Sequence, residues 1–303
     1  MYFKRAPDKI LDLRPDTLAQ ILTWSNVQSG SKVLLMETCK GLLTGAIMER
    51  LGNEGSVLQV HQGNNPTRTI VEQFNFSVDD VERLACSFPM DKLELFKDLQ
   101  TTDSSRETTL ELLLGRNYLQ NPTVNELGED VEAKEEVVTD DKQEIVSAEA
   151  TKETTTKLEG EEVLPNNRKR KHGDDRNDQS NPKAPKVSYL SREKRLVECE
   201  KAMELLKAKE FDSLVIVARY HPKKLLLSLL EFLPIARPFV VYCQYKEPLM
   251  ECFVTLRDMK IVTNLEITES WYRNLQVLSN RSHPEIVMSA TGGYILRGIK
   301  ISP

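Results

Sequence analysis

The 303-residue chain is poor in aromatic residues and cysteines, and it has no long apolar segment. Its five cysteines are scattered, and none forms a CxxC pair or a His/Cys cluster with metal-ligand spacing, which argues against structural zinc. An odd, dispersed set favours a reducing compartment. Apolar runs such as Leu225–Leu230 are far too short to cross a bilayer, and no N-terminal signal is visible, so we expect no membrane association.

Acidic residues are concentrated in the middle of the chain. The net charge is -5, yet residues 126–162 hold fourteen acidic side chains against four lysines. The rest of the chain is therefore basic by about five charges, a modest bias toward an anionic partner.

Composition divides the chain into three zones. Residues 1–120 and 188–303 carry apolar periodicity, whereas residues 121–187 are rich in Glu, Thr, Asn, Asp and Lys and almost free of aromatics. Such a segment cannot bury enough apolar surface to offset its ordering entropy, so we predict a disordered insert. Neither flanking zone has enough predicted strands for a domain of its own, so we expect the two zones to form one domain.

The flanking zones alternate helical and extended patterns. This order predicts an α/β fold with one doubly wound sheet and an antiparallel C-terminal end. The predicted helices cover residues 15–24, 41–51, 66–74, 191–208, 222–232 and 248–259, and the predicted strands cover 33–36, 57–60, 214–217 and 239–243, with two longer β segments near 261–278 and 285–301.

The segment from Lys32 to Ile47 has the pattern of a buried strand, a turn and a helix, where nucleotide-binding α/β domains carry a glycine-rich loop. Here the first glycine comes only at Gly41. The end of the second strand, near His61, has no carboxylate to hold a ribose, and the end of the fourth reads Val-Ala-Arg-Tyr-His-Pro over residues 217–222. The scaffold of a cofactor site is present, but its ligand-binding groups are missing.

Several stretches resemble the non-catalytic subunit of the eukaryotic tRNA (adenine-58-N1) methyltransferase, a paralogue of the catalytic subunit. The longest is residues 238–249, PFVVYCQYKEPL, and others are residues 16–20, 36–39, 276–278, 281–284 and 292–294. The resemblance implies a class I methyltransferase-like (Rossmann-like) fold. It also implies a heterotetramer with the catalytic paralogue, which binds S-adenosylmethionine and acts on tRNA.

The resemblance also locates the residues that the catalytic paralogue uses. The cofactor loop's acid falls on Leu35, the ribose-binding acid on His61 and the catalytic Asp on Ala218, and the loop's three glycines fall on Glu37, Cys39 and Gly41. Only Gly41 keeps the family's residue. We therefore expect no cofactor binding and no catalysis by this chain alone. An unusual but active loop is the alternative.

Other residues admit two interpretations. His61, His221 and His283 could serve metal or acid–base chemistry, but they are far apart in sequence and fit structural or surface roles better. Arg219, Lys223 and Lys224 are candidates for contact with tRNA, although Arg219 could pair with a carboxylate instead. Further candidates are Arg68, Arg273 and Arg281.

The basic run Arg168-Lys169-Arg170-Lys171 is either a nuclear import signal or a solvated charge run that balances the acidic block. We favour import and expect a nuclear protein. Tyr294 is a candidate interface residue, with core packing as the alternative. Family members carry an additional N-terminal β-rich domain, which we expect this chain to lack. The competing functions are an active S-adenosylmethionine-dependent RNA methyltransferase and an interaction scaffold with no RNA role.

Overall fold

The computed structural model describes residues 2–63, 65–101, 192–271, 274–286 and 292–302. The predicted insert, its basic run at Arg168–Lys171, and Arg273 lie outside these residues, so their predicted roles stay predictions. The proposed domain boundaries near residues 120 and 187 also lie outside them.

Nine strands occur in the described residues. Seven form one sheet in the order β3-β2-β1-β4-β5-β9-β6, and β7 and β8 form a separate hairpin. The strands are β1 Lys32–Glu37, β2 Ser56–His61, β3 Ala85–Pro89, β4 Ser213–Val217, β5 Pro238–Cys243, β6 Val262–Glu269, β7 Leu275–Leu278, β8 Arg281–Pro284 and β9 Tyr294–Lys300.

Eight α-helices connect or flank these strands in the described residues. They are α1 Tyr2–Arg5, α2 Pro15–Trp24, α3 Leu42–Leu51, α4 Val78–Leu84, α5 Leu93–Thr101, α6 Arg192–Ala208, α7 Pro222–Leu230 and α8 Lys246–Met259. Short 3-10 turns occupy Pro7–Ile10, Val71–Phe74 and Met90–Lys92.

Strands β1 to β5 run parallel, and β9 runs antiparallel between β5 and β6. Side chains of β1 alternate between two cores: Leu34 and Met36 join the core formed with α5 to α8, whereas Val33 and Leu35 join the core formed with α2 and α3. Burial on both faces explains why this strand lacks polar alternation. The predicted doubly wound sheet with an antiparallel end is confirmed.

Several sequence-based element assignments were wrong or incomplete. Helices α4 and α5 were not predicted, and the β segment predicted near 285–301 is a strand only over Tyr294–Lys300 in the described residues. The helix predicted over residues 66–74 is helical only from Val71, as a 3-10 turn. Strand β3 was missed because its sequence, ACSFP, has no β-branched residue and is very short. The predicted segment 261–278 is divided, because β6 ends at Glu269 and β7 pairs instead with β8.

Candidate functional site

Strands β1 and β4 are neighbours at the point where the strand order reverses, the usual ligand site of an open α/β sheet. The register pairs Met36 with Val60 on one side and Glu37 with Val217 on the other. Glu37, His61 and Ala218 therefore meet at one carboxyl edge, as the sequence indicated. Leu35 lies two residues before Glu37 in β1 and is fully buried in the core.

The carboxylate of Glu37 caps the N-terminus of α3. It accepts hydrogen bonds from the backbone N–H groups of Leu43 (3.1 Å) and Thr44 (2.8 Å), and from the Thr44 hydroxyl. Amides at a helix start are groups that commonly bind an anionic ligand. Here the chain's own side chain uses them.

Burial raises the pKa of the Glu37 carboxyl above its usual value of 4.5, although the hydrogen bonds from Thr44 and Leu43 and the charge of Arg68 oppose the shift. Cys39, two residues on, is fully buried, and burial likewise raises the pKa of its thiol, with the Glu37 charge adding to the effect. A protonated, buried thiol is a poor nucleophile, so Cys39 is a packing residue.

The turn after β1 is joined to the turn after β4. The Thr38 N–H donates to the Val217 carbonyl (3.0 Å), and the Arg219 N–H donates to the Thr38 hydroxyl (3.0 Å). These bonds cross the switch point itself. They hold together the two loops between which a cofactor would enter.

Gly41 serves the chain's own packing. It has φ of +88°, and a Cβ placed on it would lie 2.8 Å from Cα of Arg68 and 3.0 Å from a methyl of Val71. The segment carrying these two residues is bonded to the loop, because the Ile70 N–H donates to the Lys40 carbonyl (2.9 Å). The close backbone approach that the glycine permits is therefore made to the chain itself.

His61 is buried at the end of β2, and its Nδ1 atom has no hydrogen-bond partner. Burial lowers the pKa of this imidazole, so the neutral ring is favoured. Next to it, the Tyr220 hydroxyl bonds the side-chain oxygen of Gln62 and bridges the loops after β2 and β4. His61 stands where the resemblance places a ribose-binding acid, and its neutral ring offers no carboxylate to ribose hydroxyls.

The N-terminal segment lies across the same edge. The Asp8 carbonyl accepts from the Arg219 guanidinium (2.6 Å), and the Leu11 carbonyl accepts from the Tyr242 hydroxyl (2.9 Å). Asp12 bonds the amide nitrogen of Gln244. The segment is thus bonded to residues at the ends of β4 and β5.

The predicted tRNA-contacting residues fall in different settings. Arg68 is largely buried, with its guanidinium on Gln59 (2.8 Å) and Glu198 (3.0 Å), which suits a structural role better than RNA contact. Arg219 and Lys224 are exposed and Lys223 is half-buried, all near the start of α7. Arg281 is exposed on the β7–β8 hairpin. None of these contacts with RNA is tested by the structure.

The three histidines are not brought together as a metal site. His221 lies 3.5 Å from Glu251, and His283 lies on the hairpin strand β8. Among the residues with described coordinates, no group of three or more His, Cys, Asp or Glu could hold a metal ion. No helix in that part of the chain is long and apolar enough to span a bilayer.

Sequence reasoning missed the residues that close the site. Thr44, Gln62 and the segment before α2 carry no motif, and the partners of Gln62 and of that segment are distant in the chain. One signal was available: Thr44 follows Glu37 by seven residues across a strand-to-helix turn, a spacing at which a side chain can reach the helix start.

Comparison with known proteins agrees with this geometry. Residues 1–112 match the model of the Gcd10p family. Over 99% of its length the chain is 38% identical to the mouse "tRNA (adenine(58)-N(1))-methyltransferase non-catalytic subunit TRM6" and 32% identical to the subunit of the same name from Dictyostelium discoideum. The chain spans only 58% and 49% of these two relatives. The resemblance inferred from the sequence is confirmed.

A solved structure supports the fold. A SAM-dependent O-methyltransferase from Thermotoga maritima superposes with a TM-score of 0.51, at 11% identity, over 96% of this chain and 67% of that one. The class I methyltransferase-like fold expected from the sequence is therefore confirmed.

The buried Glu37 carboxyl predicts a specific pH dependence. A raised folded-state pKa contributes stability that is fully present below pH 4.5 and is lost as the pH rises through the raised pKa. Glu37→Gln removes this titration. Relative to the wild type, its free energy of unfolding should therefore increase between pH 5 and pH 8, by at most about 1.4 kcal/mol per pH unit. Urea unfolding across this range measures it.

Glu210→Gln is the matched control. Glu210 is an exposed glutamate whose pKa is lowered by its hydrogen bond with Lys32, so it titrates below 4.5. The difference between this variant and the wild type should stay constant from pH 5 to pH 8. An equally constant difference for Glu37→Gln would contradict the buried-carboxyl assignment.

Proposed function

We propose that this chain, whose similarity to the non-catalytic tRNA (adenine-58-N1)-methyltransferase subunits extends over nearly its whole length, is itself a non-catalytic, tRNA-binding subunit of such a complex. Methyl transfer takes place in a catalytic paralogue, and this chain helps to hold the tRNA. The observation that carries the proposal is the occupied switch point, where Glu37 uses the amides at the start of α3.

The chemistry of the edge supports the absence of cofactor binding by this chain. At a position that the resemblance assigns to a glycine of the cofactor loop, the Glu37 side chain already uses the amides at the start of α3, which a bound S-adenosylmethionine would otherwise find free. His61 offers no acceptor pair for the ribose hydroxyls, and Ala218 has no group that could orient or deprotonate an adenine amine. S-adenosylmethionine is assigned to the catalytic partner.

Co-expression with the catalytic paralogue tests the function against its alternatives. We expect no methylation of adenine-58 by this chain alone, methylation by the pair, and weaker methylation by the paralogue alone. Activity of this chain alone would establish an active methyltransferase, and pairing without any effect on tRNA would establish a scaffold. Calorimetric titration of the isolated chain with S-adenosylmethionine completes the test, because binding at micromolar concentration would contradict the occupied site.

An RNA-contacting face fits the start of α7 and the loop before it. Arg219, Lys223 and Lys224 contribute positive charge there, and the ring of Tyr220 is 36% exposed beside them. The Arg219 guanidinium gives one bond to the Asp8 carbonyl, and its remaining N–H groups can donate to phosphate. Cations interleaved with an aromatic ring suit phosphate contact and base stacking.

Charge reversal measures this contribution. Lys223→Glu combined with Lys224→Glu should weaken tRNA binding by the complex and lower the slope of log affinity against log salt by about one per lost phosphate contact. Lys207→Glu combined with Lys260→Glu is the control, because Lys207 lies in the last turn of α6 and Lys260 directly follows α8, both at the opposite edge of the sheet. If the two double variants change the tRNA affinity equally, α7 does not belong to the RNA-contacting face.

The proposed heterotetramer needs a surface for the partner. The β7–β8 hairpin offers exposed apolar side chains, Leu275 at 60% and Val277 at 76% exposure, and Ile286 beyond it is 92% exposed. Exposed apolar residues in a cluster are typical of a protein interface. Tyr294, the predicted interface residue, begins β9 and pairs with Cys243 and Glu269, so its backbone is internal to the sheet while its side chain is half-buried.

Nuclear localisation is proposed from the basic run at residues 168–171. Fusing residues 160–190 to a fluorescent reporter should direct the reporter to the nucleus. The same fusion with all four basic residues of the run changed to alanine should stay evenly distributed. Identical distributions of the two fusions would favour a solvated charge run.

A further inference from the structure

A cavity of about 260 Å³ opens at the carboxyl end of β5, beside the start of β9. It is separate from the closed β1–β4 switch point. Its floor includes Tyr242 and Gly293, and its rim includes Tyr245 and Tyr294. The volume is below the roughly 300–1,000 Å³ of clefts that hold drug-sized ligands, so the cavity suits one small planar group.

The floor of the cavity is rigid. Tyr242 is 1% exposed, and its hydroxyl donates to the Leu11 carbonyl at 2.9 Å. Gly293 has φ of +69°, and a Cβ there would lie 2.4 Å from the Tyr242 ring. A side chain at this position would collide with the ring, so glycine keeps the floor both low and closely packed.

The polar groups of the cavity are mostly hydrogen-bond acceptors. Asp12 and Glu247 line it with carboxylates, and Lys246 is the cation among the lining residues. The Gln244 amide nitrogen donates one of its two N–H groups to Asp12, and the amide oxygen is a further acceptor. Two carboxylates against one ammonium disfavour a phosphate or any other anion. They favour a neutral ligand that brings its own N–H donors.

The rim supplies a stacking surface. The Tyr245 side chain is 66% exposed immediately before α8, and it makes no capping hydrogen bond to that helix. An exposed aromatic ring beside a small cavity with acceptors is suited to a nucleobase, whose face stacks on the ring while its exocyclic amine donates.

The cavity is close to the basic residues of α7. His221, at the start of that helix, lies 3.5 Å from Glu251 of α8, the helix that begins with Lys246 at the cavity. A nucleic-acid strand whose phosphates lie along Lys223 and Lys224 can therefore place a neighbouring base at the cavity.

We propose that this cavity binds one unpaired, amine-bearing nucleobase of the tRNA, an adenine, a cytosine or a guanine, stacked on Tyr245. The inference rests on the proposed tRNA-binding function and adds to it a subsite with a defined base class. Phosphate contacts along α7 position the RNA, and this subsite distinguishes bases by their exocyclic donors.

The test measures tRNA affinity of the complex of the full chain with its catalytic partner. Tyr245→Ala should lower the affinity roughly 5- to 100-fold, the range for loss of one base-stacking contact, whereas Tyr245→Phe, which keeps the ring, should bind within about twofold of wild type. Met259→Ala is the matched control, because Met259 is a 50% exposed side chain at the far end of the same helix. Unchanged affinity of Tyr245→Ala would overturn the subsite.

Free nucleosides then test the base class. In saturation-transfer NMR with the complex, cytidine should show contact, uridine should show little, and Tyr245→Ala should abolish the cytidine signal. Equal signals for uridine would overturn recognition of the amine. If the α7 double variant weakens tRNA binding while Tyr245→Ala does not, the subsite is wrong and the proposed function stands. If neither variant changes the affinity, the subsite and the α7 RNA-contacting face are both wrong, and the co-expression assay alone decides the proposed function.

Discussion

The hydrogen bonding of the Glu37 carboxylate to the first turn of α3 is the interaction on which the candidate site depends. A helix that begins directly after a buried parallel strand leaves several amides without partners, and in a nucleotide-binding fold an anionic ligand satisfies them. Here the strand's own last residue does so. These amides are satisfied internally, and the loop is bonded to the neighbouring turn through Thr38.

The glycine turn after β1 makes its close contact within the chain. Gly41 still permits a close backbone approach, but the approaching backbone is that of Arg68 rather than a ligand's phosphate or ribose. The sheet keeps the two cores that hold α3 and α7 in place, and the basic and aromatic side chains near α7 remain at the carboxyl edge. A cavity remains at this edge beside β5 and β9, and Tyr245 and Lys246 are among the side chains that line it.

Elements with strong periodicity were predictable from sequence, and elements defined by distant contacts were not. The helix from Pro15 to Trp24 has a proline in its first turn and a regular apolar stripe, and its predicted bounds agree with the structure. By contrast, the sequence of β3, ACSFP, has no strand pattern, and the segment is extended because residues 57–61 of β2 pair with it in parallel. The segment before Val71 is irregular because its backbone bonds the loop at Lys40 rather than its own next turn.

The sequence by itself determined the α/β class with an antiparallel end, and it determined that Glu37, His61 and Ala218 stand where the resemblance predicts a glycine and carboxylates. Only the tertiary structure decided what those residues do instead. Glu37 and Thr44 are in contact because the turn after β1 leads directly into α3. Gln62 and Tyr220 are in contact because β2 and β4 lie on the two sides of β1. Such contacts join residues up to 158 positions apart, and local propensity carries no record of pairings made only when the sheet assembles.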